Sequence, residues 1–329
     1  MARRANRPNI TRRKILRLVE RSVLLCLTIL FTYLLAEYQG KKRPEPGRLP
    51  DPTGDTRLPR GHKTDAVSGP SQEIRVMTWN LDWFQDPSHG PRDEAGQYQG
   101  VKRVLQTFPM ALVGLVEVAS EADFYRLLGE LKGYSGVLST YRQAQKTGLL
   151  FSSALFDLAG SRPLTAITTA GRPPLEVSLR RKSSGEPLVV VVVHAKAFND
   201  LKSYHERERF SKKLKAYLDE KRADVPLVVV GDFNDLFFNS ITPDMPSPYQ
   251  NFVDDPKYLT ATRRLNTAPN GEKSGRWGST IDHIVLSDEL APHLVDGSVD
   301  VVQKEMKGRF TAFSRKISDH YPVTLTLRM

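Results

Sequence analysis

"PLVVVGDFND", residues 226–235, sets an unbroken apolar run directly against Gly231, Asp232, Asn234 and Asp235. A short apolar run bounded by turn formers reads as a strand buried on both faces. Taken alone, the polar tail is an ordinary turn, because glycine accepts positive φ and Asx side chains bond their own backbone. Its meaning depends on whether other strands end the same way. Apolar runs predict strands over 74–80, 111–118, 147–153, 188–197, 226–232, 281–287 and 321–327, with helices over 97–108, 121–132 and 199–222. "IRVMTW" runs into Asn80 and Asp82, "ALVGLV" into Glu117 and "LVVVVV" into His194. Asp282 opens "IDHIVLS", and Asp319 and His320 open "YPVTLTL". If strands of opposite direction alternate, all these side chains meet on one rim. Asp82, Glu117, Asp232 and Asp319 would repel one another there unless a cation offset them. Hard oxygen ligands of this kind suit Mg²⁺, Mn²⁺ or Ca²⁺, so the cluster reads as a metal site.

Strands interspersed with helices indicate α/β layers around a sheet core. On 199–222, Leu201, Tyr204, Leu214, Tyr217 and Leu218 recur at helical spacing. Arg207, Arg209, Lys212, Lys213 and Lys215 between them read as a solvated face rather than a nucleic-acid patch.

The first 72 residues read differently. Residues 1–21 hold eight basic side chains and one acid, and the stretch 22–36, "SVLLCLTILFTYLLA", carries no charge. Fifteen residues rise only about 22 Å as a helix, short of a bilayer core of about 30 Å unless Tyr38 and Arg21 sit at the interfaces. A membrane anchor over 22–38, with a basic cytoplasmic tail at 1–21, is the favoured reading. A cleaved signal peptide is the rival, but no A-x-A-like site follows, and residues 11–17 resemble a twin-arginine export signal. A buried core helix has nothing globular around it. Residues 39–72 are rich in Pro, Gly and charge, a flexible tether before a domain over 73–329. The expected location is single-pass, with the domain outside the cytoplasm; an exported, cleaved soluble form is the alternative.

The chain's net charge of +11 suggests nucleic acid as a partner until it is divided. Residues 1–70 carry a net +9, leaving 33 basic and 31 acidic residues beyond them. The basicity belongs to the tail and tether, and overall charge says little about substrate. The single Cys26 has no disulfide partner, and a domain of this size needs none.

"MTWNLD", "LVGLVEV", "VVVHAKA", "VVVGDFND", "STIDHIVLS" and "SDHYPV" together resemble the six ordered motifs of the endonuclease/exonuclease/phosphatase (deoxyribonuclease I-like) superfamily. The resemblance covers residues 73–329 and implies a four-layered α/β sandwich, two central mixed β-sheets flanked by helices. It implies a metal-dependent phosphoric ester hydrolase using Mg²⁺, with Mn²⁺ or Ca²⁺ as alternatives. Carried over by residue, Glu117 matches the metal-binding Glu with Asn80 beside it, and Asp82 and Asp319 fall at the metal. Asp232 orients or deprotonates the attacking water, and Asn234 holds a phosphate oxygen. His320 matches the catalytic His, with Asp282 as its orienting carboxylate. His194 matches a His that donates to the phosphate or leaving oxygen, but the Glu that usually supports it is not identifiable.

Lys196 and Ser279 are candidate phosphate contacts, as are Lys146 and Arg276, while Trp277 and Phe198 either stack on a base or merely pack. His62, His89, His205, His283 and His293 read as surface or satisfied packing positions. The expected function is a membrane-anchored nuclease or phosphodiesterase, monomeric, with nucleic acid as substrate. A lipid phosphodiesterase or phosphomonoesterase is the alternative, and would show an apolar hairpin or loop near the rim, of which the sequence offers no clear example. A silent binding module on the same fold would lack site residues, and none of the core set is missing.

Overall fold

The computed structural model describes residues 72–266, 274, 275 and 278–329. The proposed anchor and tether, and Arg276 and Trp277, lie outside them; no helix among the described residues is long and apolar enough to cross a membrane. Along the chain run β1 (Glu73–Phe84), α1 (Glu94–Thr107), β2 (Leu112–Val118), α2 (Glu121–Glu130), β3 (Tyr134–Leu138), β4 (Lys146–Ser152), β5 (Phe156–Pro163) and β6 (Leu175–Arg181). There follow β7 (Pro187–His194), α3 (Leu201–Lys221), β8 (Leu227–Asp232), α4 (Gln250–Val253), β9 (Tyr258–Thr260), β10 (Asp282–Ser287), β11 (Asp300–Val301), α5 (Gln303–Arg309), α6 (Phe313–Lys316) and β12 (Val323–Arg328).

The strands form two six-stranded sheets, in the orders β11-β12-β1-β2-β4-β3 and β5-β6-β7-β8-β10-β9. Both are mixed, as expected. Each holds one parallel pair, β1 with β2 and β7 with β8, and each pair is joined through a helix, α1 or α3. The other pairings are antiparallel. Parallel strands buried on both faces need continuous apolar sequence, which is what 189–193 and 227–230 supply.

The sheets pack face to face through Ile74, Val76, Leu112 and Val116 from one and Val190, Val192, Val228 and Val230 from the other. A Cβ at Gly114 would lie 2.3 Å from Val230 Cγ2, so this glycine permits the close approach. The outer face of the first sheet is covered by α1 and α2 through Val101, Val104, Leu105, Phe124 and Leu127. That of the second is covered by α3 through Phe210, Leu214 and Leu218.

α3 begins at Asp200, whose carboxylate accepts from Ser203 N as its N-cap, a contact worth about 1 kcal/mol. Its buried stripe is Tyr204, Arg207, Phe210, Ser211, Leu214 and Leu218, the i, i+3, i+4, i+7 pattern of an amphipathic helix. Arg207 corrects the solvated-face reading. Arg209, Lys212 and Lys213 are exposed as expected, but Arg207 is fully buried and its Nε donates to the buried Asp235 carboxylate at 2.8 Å. Leu201 departs the other way: it sits in the apolar pattern, yet lies exposed at the helix start.

Candidate active site

Register brings three strand ends into one row. His194, last in β7, pairs with Asp232, last in β8, and Asp232 pairs with Asp282, first in β10. Gly231 makes this crossing possible. Its φ is +147°, and a Cβ there would meet Val193 O at 1.9 Å. The glycine in "GDFND" is therefore required by backbone approach, beyond any turn preference.

The facing groups come from the other sheet. β1 and β2 pair regularly up to Asn80 and then shift register, and β2 is also irregular against β4 between Leu115 and Val118. Such irregularities re-aim side chains beside sites. Glu117 adopts φ +60° and Asp82 φ +53°, left-handed values uncommon for non-glycine residues. Asn234 does likewise at +52°.

Asn80 joins the two sheets at the centre. Its Nδ2 donates to Glu117 Oε1 at 3.0 Å and Asp232 Oδ2 at 3.1 Å, while its Oδ1 accepts from Asp82 N at 3.0 Å. Its Oδ1 keeps a second lone pair, so the contact from Asp82 N leaves Asn80 able to ligate a metal as expected for this position. Glu117 Oε2 accepts from Trp83 N, and Asp232 Oδ1 accepts from Asn234 N. Asn234 Nδ2 donates to Ala195 O at 3.2 Å.

His320 Nδ1 lies 2.7 Å from Asp282 Oδ2, within the buried rim. Ser318 Oγ donates to Asn80 O and accepts from His320 N, and Trp79 Nε1 donates to His320 O, so β1 fixes the loop that carries the histidine. Ser274 Oγ accepts from Asp282 N, and Gly275 bridges to His320. Ser279 O accepts from Gly275 N, which places Ser279 beside this pair. Burial alone would lower the His320 pKa, but the Asp282 carboxylate, helped by Asp232 and Asp319, holds it well above the ordinary value. The carboxylates thus favour the charged, imidazolium form of the ring.

His194 is opposite in character. Burial, with Arg172 and His320 nearby, pushes its pKa well below the usual value. Its Nε2 is 3.5 Å from Glu117 Oε1 and 3.9 Å from Asp232 Oδ2. Among the described residues its Nδ1 is buried without a hydrogen-bond partner. A neutral imidazole donates a hydrogen bond but is a weak proton donor.

Arg172, from the loop between β5 and β6, escaped the sequence reading. Its guanidinium donates to Gln145 Oε1 and to Ala195 O, both at 2.7 Å, and its charge acts on Glu117, Asp232 and His194. "GRPP" carries no periodicity and adjoins no motif, so nothing in one sequence marks it. Lys196 directs its Nζ over the Phe198 ring, 4.9 Å from the centroid. Lys146 is occupied by Glu121 and Ser139 O. His283 is a satisfied packing group between Thr262 Oγ1 and Asp235 O.

Burial raises the pKa of Glu117. Burial and the neighbouring Asp282 raise that of Asp232 to about 7. Counted formally, Glu117, Asp232, Asp282 and Asp319 face His320 and Arg172, two more negative than positive charges. Asp232, Asp282 and His320 also place one potential ligand atom each within 4.8 Å of one another. In that trio one ligand is a ring nitrogen, whereas the carboxylate oxygens around Glu117 are the hard donors that suit a cation of the Mg²⁺ type.

The Asp232 shift gives a stability test. An acid whose folded pKa is raised favours folding when protonated, and that contribution is lost as pH rises from about 4 to 7. In chelator, the melting temperature of Asp232→Asn relative to the parent protein is therefore expected to climb across this window, about 2–4 °C per kcal/mol for a domain of this size. Parallel pH profiles for the two proteins would remove Asp232 as the titrating group.

The chain matches the model of the Endonuclease/Exonuclease/phosphatase family over residues 77–320. No curated protein sequence matches it. Among solved structures, the human Nocturnin catalytic domain with bound sulfate aligns at TM-score 0.55 and 20% identity, covering 78% of this chain and 95% of that one. D. rerio TDP2 complexed with a single-strand DNA product aligns at 0.58 and 17%, covering 78% and 99%. A Bacteroides thetaiotaomicron mannosyl-6-phosphatase aligns at 0.52 and 15%, covering 77% and 98%. At these identities the neighbours establish the fold alone, while the family model spans most of the described domain and takes in every strand end gathered at the rim. The chain belongs to the endonuclease/exonuclease/phosphatase family.

Proposed function

We propose that this protein is a divalent-metal-dependent phosphodiesterase acting on nucleic acid, held at a membrane by its N-terminal segment. The observation that carries the reading is the juxtaposition of the His320–Asp282 imidazolium pair with the raised carboxyl of Asp232 and the excess negative charge around Glu117. The donor set fits Mg²⁺ or Mn²⁺, with Ca²⁺ a third possibility. Glu117, Asp82 and Asp319 would hold the ion, with Asn80 orienting Glu117, and it would supply charge neutralisation on the phosphoryl oxygens.

The chain's own groups divide the remaining tasks. Asp232, poised near neutrality, orients the attacking water and accepts its proton. Asn234 and neutral His194 offer hydrogen bonds to the phosphoryl oxygens, with Lys196 and Ser279 at the margin. His320 places positive charge where negative charge develops, its tautomer and orientation fixed by Asp282.

One structural neighbour holds a single-strand DNA product and another is named as a sugar phosphatase. Phosphodiester and phosphomonoester chemistry therefore both occur on this fold. The lipid or phosphomonoester alternative keeps one point in its favour: exposed apolar side chains, Phe198 and Phe238, do lie on loops at the rim. Export, anchoring over residues 22–38 and a monomeric state rest on the sequence.

The deciding assay presents the full chain with plasmid DNA, single-stranded DNA, RNA, sphingomyelin and inositol phosphates, with Mg²⁺, Mn²⁺ or chelator. Cleavage of a nucleic acid that chelator abolishes is the expected result. Hydrolysis of the lipid or the phosphomonoesters alone, or activity indifferent to chelator, overturns the reading.

A further inference from the structure

We infer that Phe198, backed by Lys196, is a stacking platform for an unpaired base beside the scissile phosphate. The inference deepens the nuclease reading and rests on it. Phe198 is 67% exposed, the highest value among the exposed large apolar side chains, and it sits four residues beyond His194. A single exposed ring is ordinary on a protein surface; what distinguishes Phe198 is the backbone that holds it there. Its φ of +79° is an outlier for a bulky residue.

The surrounding structure enforces that conformation. Arg207 Nη1 donates to Lys196 O at 2.9 Å and to Phe198 O at 2.7 Å, while Nε is held by Asp235 and Nη2 by Thr242 Oγ1. One buried guanidinium thus clamps the loop after β7 to the loop after β8. The second loop adds Phe238, 60% exposed, because Phe237 before it is buried and stacked on His283. Strained backbone that the interior over-determines clusters at ligand-binding positions.

Charge selects the occupant. The Lys196 ammonium lies over the Phe198 ring and two residues from His194, which is the pairing of cation and aromatic face that follows a nucleic-acid strand. Lys202 extends the positive character. A bilayer is disfavoured, because Asn199 and the helix-capping carboxylate of Asp200 stand between Phe198 and Leu201, and Asn239 follows Phe238. Stacking on a side chain needs a base already out of its duplex, so the strand is single or locally opened.

The test uses the full chain in an Asp232→Asn background with Mg²⁺, titrated with a single-stranded oligonucleotide carrying one 2-aminopurine. Quenching of the probe is expected, with about tenfold weaker binding and no quenching after Phe198→Ala, as for one base on one aromatic face. Phe198→Trp should restore both, and an abasic strand should bind equally with or without the ring. Cleavage of the same strand by the parent protein reports separately on the nuclease reading. Equal binding and quenching by Phe198→Ala, with parental cleavage intact, overturns the platform and leaves the nuclease. Loss of anionic-vesicle binding by Phe198→Ala, with oligonucleotide binding unchanged, assigns the ledge to lipid and overturns the proposal. Neither binding nor cleavage of the strand by any form overturns both.

Discussion

Asp282→Asn is expected to lower turnover by about 10³–10⁴-fold while leaving divalent-ion affinity nearly unchanged, the scale seen when a histidine loses its orienting carboxylate. The two side chains meet at 2.7 Å in a fully buried setting, and Asp282 is the chief group holding His320 protonated against the cost of burial. An amide keeps the shape but not the charge. The imidazole then reverts toward neutrality and loses its fixed tautomer. His320→Ala should be about as damaging, and the double variant scarcely worse than either, because groups that act as a unit are not additive. The sign of the pH effect follows. His320 has a raised pKa, so its charged form and the stability of the pair are complete below the ordinary histidine pKa and are lost only as pH rises through the elevated one. In Asp282→Asn the loss moves to lower pH. Turnover measured for both single variants and the double is sufficient, and losses that multiply would show two independent residues.

A second large effect is expected at a pair that touches no substrate. Arg207→Met leaves the Asp235 carboxylate buried among Ser240, the amides of Leu236 and Ile241, and no cation. Breaking a buried pair from one side costs about 3–5 kcal/mol, whereas replacing both partners by neutral groups is far less harmful. Urea unfolding should show Arg207→Met strongly destabilised and Arg207→Met/Asp235→Asn partly recovered. A double variant as unstable as the sum of the singles would mean that the guanidinium acts through its carbonyl contacts to Lys196 and Phe198 rather than through the charge pair.

Both predictions bear on what a single sequence reveals. The rim was legible because polar side chains end long apolar runs, so Glu117, His194 and Asp232 announce themselves by contrast with their strands. Their partners across the rim were legible only through strand direction and the order of motifs. β5 and β6 were missed because their sequences, "FDLAGSRP" and "LEVSLRR", carry no continuous apolar run; most of β5 is exposed. Arg207 was misread because its neighbours in the helix are exposed bases of the same kind, and only Asp235, 28 residues away, distinguishes it. Arg172 was invisible for a related reason: a lone arginine in a loop acquires meaning from what the fold lays beside it.

Asn80 carries a last consequence. Its amide spans from Glu117 on one sheet to Asp232 on the other, and His320 reaches Asp282 across the same divide. Neither sheet owns a complete reaction centre. A folding chain with one sheet formed, or with both formed but not yet docked, is chemically inert however much secondary structure it holds. β1 also waits for β12, about 250 residues later, before the loop bearing His320 is fixed. Contacts so distant in sequence form slowly. On the proposed function, activity would therefore arrive with the closing of the sandwich and would be the first property to vanish when the two halves part.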